Sequence, residues 1–549
     1  MNNLAYLLKQ KLDAPQKPLY REFVDGAWRF FTAQDIAAMA MRWQQAFRSQ
    51  GLEKGDRVAL CLKNGTTWVA IDMASLGMGL VVVPLYVNDN AANISWCVAD
   101  CEARLLVLQN TRILETLRRA NNQLPPVVCI EADSRIDKAD NALPKAGDEF
   151  IVEEVEPDSL ATVVYTSGTT GPTKGVKLSH DNILSNVRAV KRAVELYATD
   201  RVLSVLPLSH MFERTCGYYL TLSEGVQVIY TRGIQQLNED MSTQQPSILI
   251  AVPRVLERFK ARIEDKLAGF FSKRLLFALT VKLGWRVYQR QATLPERMLY
   301  GLLKKRVAAP ILARLGGKLR MVVVGGAALD ERVGRTFIGL GLRITQGYGL
   351  TETSPVIAGN REGDRDLASV GAPLENLQIR VNEAGELLVR GPSVMLGYWR
   401  KPEATQQILD EEGWLNTGDQ VEIRNGKVYI KGRTKDVLVL SNGEKVPPQE
   451  VETAILSDGV FEQVMLVGEG RAYLTLLAVT QETDRDILIR RANEKLKNFP
   501  RYIRVRRVIP FKEPWTIESG LITPTLKVKR KKVFEKFSAE IENVYSGAG

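Results

Sequence analysis

The sequence predicts an α/β protein with two unequal domains. Through most of the chain, short apolar runs alternate with segments of helical periodicity, and this β-α-β order predicts largely parallel sheets with helices. Near Arg433 the pattern changes to short strands between charged helices, as in a small α+β domain. Since 549 residues exceed what one simple core accommodates, we expect an N-terminal domain over residues 1–432 and a C-terminal domain over 433–549.

The first elements are a hairpin and an amphipathic helix. Residues 20–34 predict two short strands joined by a turn at Asp25-Gly26, and residues 33–50 carry apolar side chains at helical spacing. Three short buried strands, with helical segments between them, follow at Val58–Leu62, Val81–Leu85 and Leu105–Leu108.

The same alternation recurs further along the chain. It spans Val202 to Pro253 and Met321 to Gly349, so the β-α-β arrangement extends through the large domain. Asn425-Gly426 then predicts a tight hairpin turn. Residues 125–150 are polar and weakly patterned, which indicates an excursion on the surface.

Composition and charge narrow the class of protein. No apolar run reaches the roughly 18 residues of a membrane helix, and the N-terminus lacks the pattern of a secretory signal. Five scattered cysteines without Cys-x-x-Cys argue against a disulfide framework or a zinc site, so we expect a cytoplasmic protein. The net charge of +11 favours anionic partners: nucleotide, coenzyme, anionic lipid or nucleic acid.

The most informative segment is a loop rich in Gly, Ser and Thr within residues 164–180. Bare backbone amides, hydroxyls and one lysine suit a polyphosphate, although this composition alone is equally consistent with a flexible surface loop. The spacing does not fit a Walker A loop. The candidate phosphate-binding residues are Thr166, Ser167, Gly168, Thr169, Thr170 and Lys174.

A second candidate segment runs from Gln346 through Gly347, Tyr348 and Gly349 to Thr351 and Glu352. Tyr348 can stack on a purine, Thr351 can donate to an α-phosphate, and Glu352 can hold Mg²⁺ through oxygen. Taken by itself, Glu352 is more often a solvated or capping carboxylate than a metal ligand.

Three further segments complete the candidate set. Gly325-Gly326-Ala327 follows an apolar strand, where small residues serve either a flat ligand or tight strand-to-helix packing. Asp419 follows a tight turn and can accept both ribose hydroxyls, with Arg433 nearby in sequence. The basic segment around Lys527 is, without its neighbours, a solvated helix start.

Together these segments resemble, in order, the signature elements of the adenylate-forming superfamily, which includes acyl-CoA synthetases, luciferases and adenylation domains of peptide synthetases. Tyr165 to Gly175 is similar to the phosphate loop, and Tyr348 to Glu352 to the Tyr-Gly-x-Thr-Glu element. The resemblance covers nearly the whole chain. It implies ATP and coenzyme A as co-substrates and a mobile C-terminal domain that rotates between two half-reactions.

The resemblance also assigns roles to single residues. Lys527 matches the catalytic lysine, Lys435 the hinge, and Glu352 with Thr166 the Mg²⁺ site. The resemblance likewise implies that Gly325, Gly326 and Ala327 lie beside the adenine and the acyl carboxylate. It also implies that Asp419 binds the ribose.

Two departures affect this assignment. Leu526 stands where the pattern usually has glycine before the catalytic lysine, so Lys529 is a rival to Lys527. Several relatives carry a second lysine beyond the hinge, where this chain has Val439, with Lys445 as an approximate substitute. The thioester-forming step therefore rests less on motif than the adenylating step.

The identity of the acid is indicated by two other segments. Pro207-Leu-Ser-His210-Met-Phe-Glu213 resembles the long-chain acyl-CoA synthetase branch, which implies that His210 lies at the acyl-pocket entrance and takes part in catalysis. Residues 256–320 are helical and basic with interleaved apolar residues, a pattern that suits either a peripheral contact with anionic lipid or a helix pair packed on the core.

The leading interpretation is a ligase that joins a long-chain fatty acid to coenzyme A. The alternatives are a fatty acyl-AMP ligase that delivers to a carrier-protein thiol, and a non-catalytic lipid- or nucleotide-binding relative. Nucleic-acid binding through the basic tail Lys527–Lys536 is not expected, because no aromatic platform accompanies it.

Overall fold

The computed structural model describes residues 2–121, 123–131, 149–166, 173–433, 437–523 and 527–546. The strands in chain order are β1 Pro18–Val24, β2 Ala27–Thr32, β3 Arg57–Cys61, β4 Val81–Pro84, β5 Leu105–Asn110, β6 Val127–Glu131, β7 Leu160–Thr166, β8 Lys174–Ser179, β9 Arg201–Ser204, β10 Gln227–Tyr230, β11 Ile248–Ala251, β12 Met321–Val324, β13 Arg343–Gly349, β14 Val356–Gly359, β15 Ala372–Pro373, β16 Gln378–Val381, β17 Glu386–Arg390, β18 Gly397–Tyr398, β19 Leu415–Arg424, β20 Lys427–Arg433, β21 Leu438–Val439, β22 Lys445–Val446, β23 Gln463–Val467, β24 Leu474–Val479 and β25 Val505–Phe511.

The α-helices span Tyr6–Lys9, Ala33–Ser49, Thr66–Gly77, Ala91–Asp100, Thr111–Ala120, His180–Ala193, Leu220–Glu224, Leu237–Gln244, Pro253–Leu267, Phe271–Tyr288, Leu294–Leu303, Ala309–Ala313, Glu331–Gly339, Pro402–Gln406, Pro448–Leu456, Arg485–Lys495, Arg530–Lys536 and Ser538–Tyr545. Short 3₁₀ turns span Gln10–Asp13 and Thr351–Thr353, and π-helical segments span Glu213–Tyr219 and Lys304–Ala308. None of the helices in the described ranges is long and apolar enough to cross a membrane.

Two large sheets form the first part of the molecule. Among the described residues, one sheet has nine strands in the order β15-β14-β13-β12-β11-β9-β10-β1-β2, and the other has seven in the order β18-β8-β7-β4-β3-β5-β6. The central pairs, such as β11 with β12 and β3 with β4, are parallel. Strands β4 and β11 are buried throughout, as parallel strands with both faces covered must be. The predicted fold class is confirmed.

Both predicted hairpin turns are present. Asp25 and Gly26 have φ of 50° and 77°, and Asn425 and Gly426 have φ of 50° and 71°. Two consecutive positive φ values match the turn that suits the twist of a two-residue hairpin. The second hairpin joins β19 to β20 in a four-stranded antiparallel sheet, in the order β16-β17-β19-β20.

The last part of the chain is built around the sheet β23-β24-β25. Alternate residues of β24 face opposite sides, so Leu476 lies in one apolar cluster with the helices Pro448–Leu456 and Arg485–Lys495, and Leu477 in another with the helices Arg530–Lys536 and Ser538–Tyr545. This is the small mixed α and β arrangement expected after Arg433. Arg433 itself is the last residue of β20.

Candidate active site

The candidate residues gather where β12 and β13 end. Ligands of open α/β sheets bind beyond the carboxyl ends of the strands, and here Gly325 directly follows β12 while Gln346 to Gly349 form the end of β13. The hairpin of β19 and β20 supplies Asp419 and Arg433 from another sheet. The predicted segments are thus brought together although they are far apart in sequence.

Asp419 is the centre of one polar cluster. Its Oδ2 accepts a hydrogen bond from the Tyr348 hydroxyl at 2.6 Å, and its Oδ1 accepts one from Arg433 Nε at 2.9 Å. Burial, together with the neighbouring Asp419 charge, raises the pKa of Tyr348 well above its usual value. The Tyr348 hydroxyl therefore stays protonated and donates, which keeps the Asp419 carboxylate oriented. Each carboxylate oxygen keeps a further lone pair for a hydroxyl donor.

Glu352 belongs to a second polar cluster, with Tyr398 and Lys174. The Tyr398 hydroxyl donates to Glu352 Oε1 at 2.8 Å, and Lys174 Nζ lies 4.8 Å from the centre of the Tyr398 ring. Burial first, and then the Glu352 charge, raise the pKa of Tyr398, so this hydroxyl also remains a donor. The arrangement combines one carboxylate and one ammonium group.

The base of the predicted phosphate loop is a strand pair. Thr166 and Lys174 are partners across β7 and β8, and the Thr166 hydroxyl donates to the Lys174 carbonyl at 3.4 Å. The rest of the loop, with the candidates Ser167, Gly168, Thr169 and Thr170, lies outside the described residues, as does the hinge candidate Lys435. Thr351 is half-buried in the turn that carries Glu352.

Lys527 reaches this cleft from the end of the chain. Its backbone N–H donates to Thr523 Oγ1 at 3.0 Å, and its carbonyl accepts from the Thr523 N–H at 2.8 Å, so these two bonds anchor Lys527 to Thr523. The surrounding protein lowers the pKa of Lys527 to about 8; the Arg433 charge adds to this effect and the Asp419 charge opposes it. The side chain still has solvent access, as expected for a group that lines a cleft.

His210 lies within electrostatic range of Lys527. Burial lowers its pKa to about 4, and the Lys527 charge contributes to the shift, so the imidazole is neutral at neutral pH. Its Nδ1 accepts a hydrogen bond from the Phe212 N–H at 3.3 Å. In the neutral ring the proton is then on Nε2, which makes this nitrogen a donor.

The glycines of the predicted segments have different surroundings. A Cβ on Gly349 would lie 1.8 Å from the Pro355 carbonyl oxygen, so no larger residue fits there. A Cβ on Gly325 would lie 3.0 Å from the Phe212 ring, which links the strand end to the segment after His210. Gly326 and Ala327 are exposed. A Cβ on Gly347 would lie 4.0 Å from the Ala358 carbonyl oxygen, an ordinary van der Waals contact.

Gln346 is placed differently from a ligand-contacting side chain. It is buried, and its Nε2 donates to the Leu367 carbonyl at 2.8 Å, while its backbone N–H donates to Asn360 Oδ1 at 3.0 Å. These bonds fix the end of β13, so Gln346 supports the segment that carries Tyr348.

A buried ion pair between Arg214 and Asp72 was not predicted from the sequence. Arg214 Nη2 lies 2.5 Å from Asp72 Oδ1, Arg214 Nη1 donates to Thr162 Oγ1 at 2.8 Å, and the hydroxyls of Tyr218 and Tyr219 donate to Asp72 Oδ2. Arg214 follows His210 closely, and Thr162 lies on β7, which leads to the phosphate loop. The pair therefore ties the two segments together. Its one sequence signal is a lone carboxylate, Asp72, in an apolar helix.

Glu213 is a second buried carboxyl that sequence reasoning did not single out as functional. Neither of its oxygens has a hydrogen-bond partner of good geometry among the described residues. Burial raises the pKa of Glu213 to about 8, and the nearby Ser204 hydroxyl offsets this only in part. The group is therefore largely protonated at neutral pH.

The chain matches two family profiles and is similar to known ligases over nearly its whole length. The sequence profile described as AMP-binding enzyme matches residues 11–399, and that of the AMP-binding enzyme C-terminal domain matches residues 435–549. The long-chain-fatty-acid–CoA ligase FadD15 of Mycobacterium bovis is 29% identical, over 99% of this chain and 97% of the relative. The chloroplastic long-chain-fatty-acid–[acyl-carrier-protein] ligase AEE15 of Arabidopsis thaliana is 27% identical, over 94% of this chain and 82% of the relative.

Solved structures show the same fold. ATP-bound MatB from Rhodopseudomonas palustris superposes with a TM-score of 0.74 at 23% identity, covering 98% of this chain and 99% of the other. The A domain of the carboxylic acid reductase from Segniliparus rugosus superposes with a TM-score of 0.79 at 19% identity, covering 100% and 94%.

Proposed function

The chain belongs to the AMP-binding enzyme family, and we propose that it activates a long-chain fatty acid with ATP and transfers the acyl group to coenzyme A. The substrate class is supported by the full-length similarity to FadD15 and by the Pro-Leu-Ser-His210 segment. The site assignment is supported by one observation above all: Lys527 lies within electrostatic range of Asp419, Arg433 and His210.

In the first step, a carboxylate oxygen of the fatty acid attacks the α-phosphorus of ATP. A bond forms between that oxygen and phosphorus, and the bond to the β-phosphate breaks, so pyrophosphate leaves with the electron pair. Both reactants are anionic, and the step therefore requires positive charge at the meeting point. Lys527 supplies this charge when protonated. Lys174 is assigned to the β- and γ-phosphates, together with the loop from Thr166 to Thr170.

The nucleotide itself is held by the first polar cluster. Asp419 accepts the two ribose hydroxyls, with Arg433 and Tyr348 keeping its carboxylate in place. Tyr348 and the segment Gly325–Ala327 line the adenine. His210, as a neutral Nε2 donor, is assigned to the carboxylate or the carbonyl oxygen of the acyl group, where negative charge develops.

A Mg²⁺ ion fits the donor groups at the second polar cluster. Mg²⁺ prefers oxygen and usually takes one or two carboxylates, substrate phosphates and water. Glu352 offers one carboxylate whose orientation is fixed by Tyr398, and Thr166 offers a hydroxyl. The described residues contain no group of three or more His, Cys, Asp or Glu that alone forms a metal site. Such an ion would neutralise phosphate charge.

In the second step, a thiol sulfur attacks the carbonyl carbon of the acyl-adenylate. The carbon–sulfur bond forms, the bond to AMP breaks, and the thiol proton is released. The proposed acceptor is coenzyme A, and the proposed C-terminal domain, residues 433–549, rotates about Lys435 between the steps. The similarity to AEE15 supports the alternative acceptor, a carrier-protein thiol.

Acid-dependent exchange of pyrophosphate into ATP tests the first step, with a series of acids of increasing chain length. We expect exchange with long-chain acids, its loss in Lys527→Ala with unchanged thermal stability, and its retention in Lys529→Ala. Full exchange in Lys527→Ala would refute the role of this lysine. Turnover with free coenzyme A then separates the two acceptors. The enzyme is proposed to act in the cytoplasm.

A further inference from the structure

We infer that the outer faces of the helices Phe271–Tyr288 and Leu294–Leu303 form a docking surface for an anionic lipid bilayer. This surface, called here the apolar–basic surface, combines exposed large apolar side chains with a dense set of cations. Its apolar members are Phe270, Phe271, Leu275, Leu276, Leu294, Met298, Leu299 and Leu302.

The apolar side chains point away from the core. Leu294, Met298 and Leu302 follow one another at intervals of four residues, so they share one helix face, and they are 71%, 68% and 61% exposed. The opposite face of the same helix is used for packing, because Tyr300 and Leu303 are buried in a cluster with Leu283. Exposed apolar stripes of this kind mark an interaction site.

The N-terminal half of the neighbouring helix also exposes large apolar side chains. Phe271 is 81% exposed and Leu275 is 60% exposed. These two residues also line a cleft toward Ser457–Gly459 of the last part of the chain. The stripe of Leu294, Met298 and Leu302 does not line that cleft, and it is therefore the part of the surface on which a test is best placed.

The charge of this region is strongly one-sided. Between Lys266 and Arg320 there are thirteen Lys and Arg residues and one acidic residue, Glu296, so this segment accounts for the whole net charge of +11. Glu296 is engaged locally, by the N–H of Thr293 at 2.8 Å and by Arg286 at 3.0 Å. Among the described residues, Lys304, Lys305 and Arg306 form no ion pair with an acidic group.

Charge and shape together favour a bilayer over other occupants. A second copy of this chain would bring two strongly basic surfaces together, which repel each other. Single-stranded nucleic acid is bound through aromatic stacking platforms, whereas six of the eight exposed apolar side chains here are aliphatic. Leucines and methionine rimmed by lysine and arginine suit the headgroup region of an anionic membrane. Since no described helix can span a bilayer, the contact is interfacial.

One helix of the apolar–basic surface packs on the helix that follows the Gly325–Ala327 segment. A Cβ on Gly284 would lie 2.0 Å from the Gly339 carbonyl oxygen, so the helix Phe271–Tyr288 packs closely on the helix Glu331–Gly339. That second helix lies between the segment Gly325–Ala327 and strand β13 in sequence. Docking therefore holds the part of the chain that carries Gly325–Ala327 at the bilayer. This benefit rests on the proposed function, because a long-chain acid partitions into membranes.

Co-sedimentation of the full-length protein with vesicles tests the inference. Vesicles of phosphatidylcholine alone are compared with vesicles that also contain phosphatidylglycerol. We expect the unmodified protein to bind the anionic vesicles. In the double variant Leu294→Glu/Leu302→Glu, each replaced leucine should weaken this binding by about tenfold or more. The matched control, Val381→Glu/Ile423→Glu, adds the same charge at two other exposed apolar positions and should bind like the unmodified protein.

A second variant removes charge without touching the apolar stripe. Lys305→Gln/Arg306→Gln should weaken binding by about fivefold per residue at low salt, and high salt should weaken binding of the unmodified protein. Equal binding to both kinds of vesicle, or equal loss in the matched control, would overturn the inference. Self-association without vesicles that Leu294→Glu/Leu302→Glu abolishes would also overturn it, in favour of a second copy.

The failure of the docking surface and the failure of the proposed function can be told apart. Both glutamate variants should keep pyrophosphate exchange with a water-soluble, medium-chain acid, because the substituted residues lie outside the cleft. If the unmodified protein binds vesicles but shows no pyrophosphate exchange, the docking surface is supported and the proposed activity is refuted. If it shows exchange but does not bind vesicles, the activity is supported and the docking surface is refuted.

Discussion

The lowered pKa of Lys527 makes the adenylating step sensitive to alkaline pH. With a pKa of about 8, about half of the free enzyme carries the ammonium charge at pH 8, and about one molecule in eleven does at pH 9. If the reaction needs this charge, kcat/KM for ATP falls about tenfold per pH unit above pH 8, since kcat/KM reports the ionisation of the free enzyme.

The assay is pyrophosphate exchange at saturating fatty acid and limiting ATP, from pH 7 to 10. Exchange omits the thiol, so ionisation of coenzyme A does not contribute to the profile. Lys527→Arg is the matched variant, because arginine keeps its charge throughout this range. It should lose the alkaline decline even if its rate is lower.

Two results would refute the reasoning. One is a wild-type kcat/KM that stays constant between pH 7.5 and 9.5 (the range that brackets the pKa of about 8). The other is an alkaline decline of the same midpoint in Lys527→Arg, which would assign the titration to a different group.

Four further variants test other parts of the site. Asp419→Asn should reduce kcat/KM for ATP by about 10- to 150-fold, the loss expected for a charged hydrogen-bonded group, and should abolish the preference for ATP over 2′-deoxy-ATP; an unchanged preference would contradict the ribose assignment. The Glu213 carboxyl has a pKa of about 8 in the folded protein and about 4.3 in the unfolded chain. The free energy of unfolding therefore falls as the pH rises between these two values, by up to about 5 kcal/mol. Glu213→Gln should remove this loss, so its Tm should increasingly exceed that of the wild type from pH 5.5 to 8.5. Gly349→Ala should lower stability by about 2 kcal/mol or more. Gly347→Ala, whose added Cβ would lie 4.0 Å from the Ala358 carbonyl oxygen, should unfold like the wild type, and equal Tm values for the two would contradict the described packing.

Periodicity and turn chemistry were sufficient for much of the fold. The hairpins at Asp25-Gly26 and Asn425-Gly426 and the parallel strands β3 to β5 follow from local patterns, because backbone conformation at these places is set by neighbouring residues. The β-α-β order then determines how the strands assemble, which is why the fold class could be predicted.

The supporting side chains of the site could not be found in this way. Tyr398 reaches Glu352 only because the two-residue strand β18 pairs with β8, where its partner is Val176. Asp72 meets Arg214 across 142 positions of sequence. Neither pairing has a local signature, since both depend on how distant elements pack.

The sequence also could not separate residues that face a ligand from those that hold the strand. Gln346 was predicted beside the nucleotide with Tyr348, but its side chain is buried and bonds to the Leu367 carbonyl. Alternation along a strand places residues two apart, such as Gln346 and Tyr348, on the same face, so only the packed structure shows which of the two side chains reaches the cleft.

Transfer of an oxygen isotope shows directly whether a fatty-acid carboxylate attacks the α-phosphate of ATP in this cleft. The unmodified protein is supplied with ATP, coenzyme A and a long-chain fatty acid labelled with ¹⁸O in its carboxyl group, and the products are weighed by mass spectrometry. We expect one labelled oxygen in AMP, none in pyrophosphate, and no labelled AMP from Lys527→Ala. Label in inorganic phosphate, or AMP that carries no label, would contradict this mechanism.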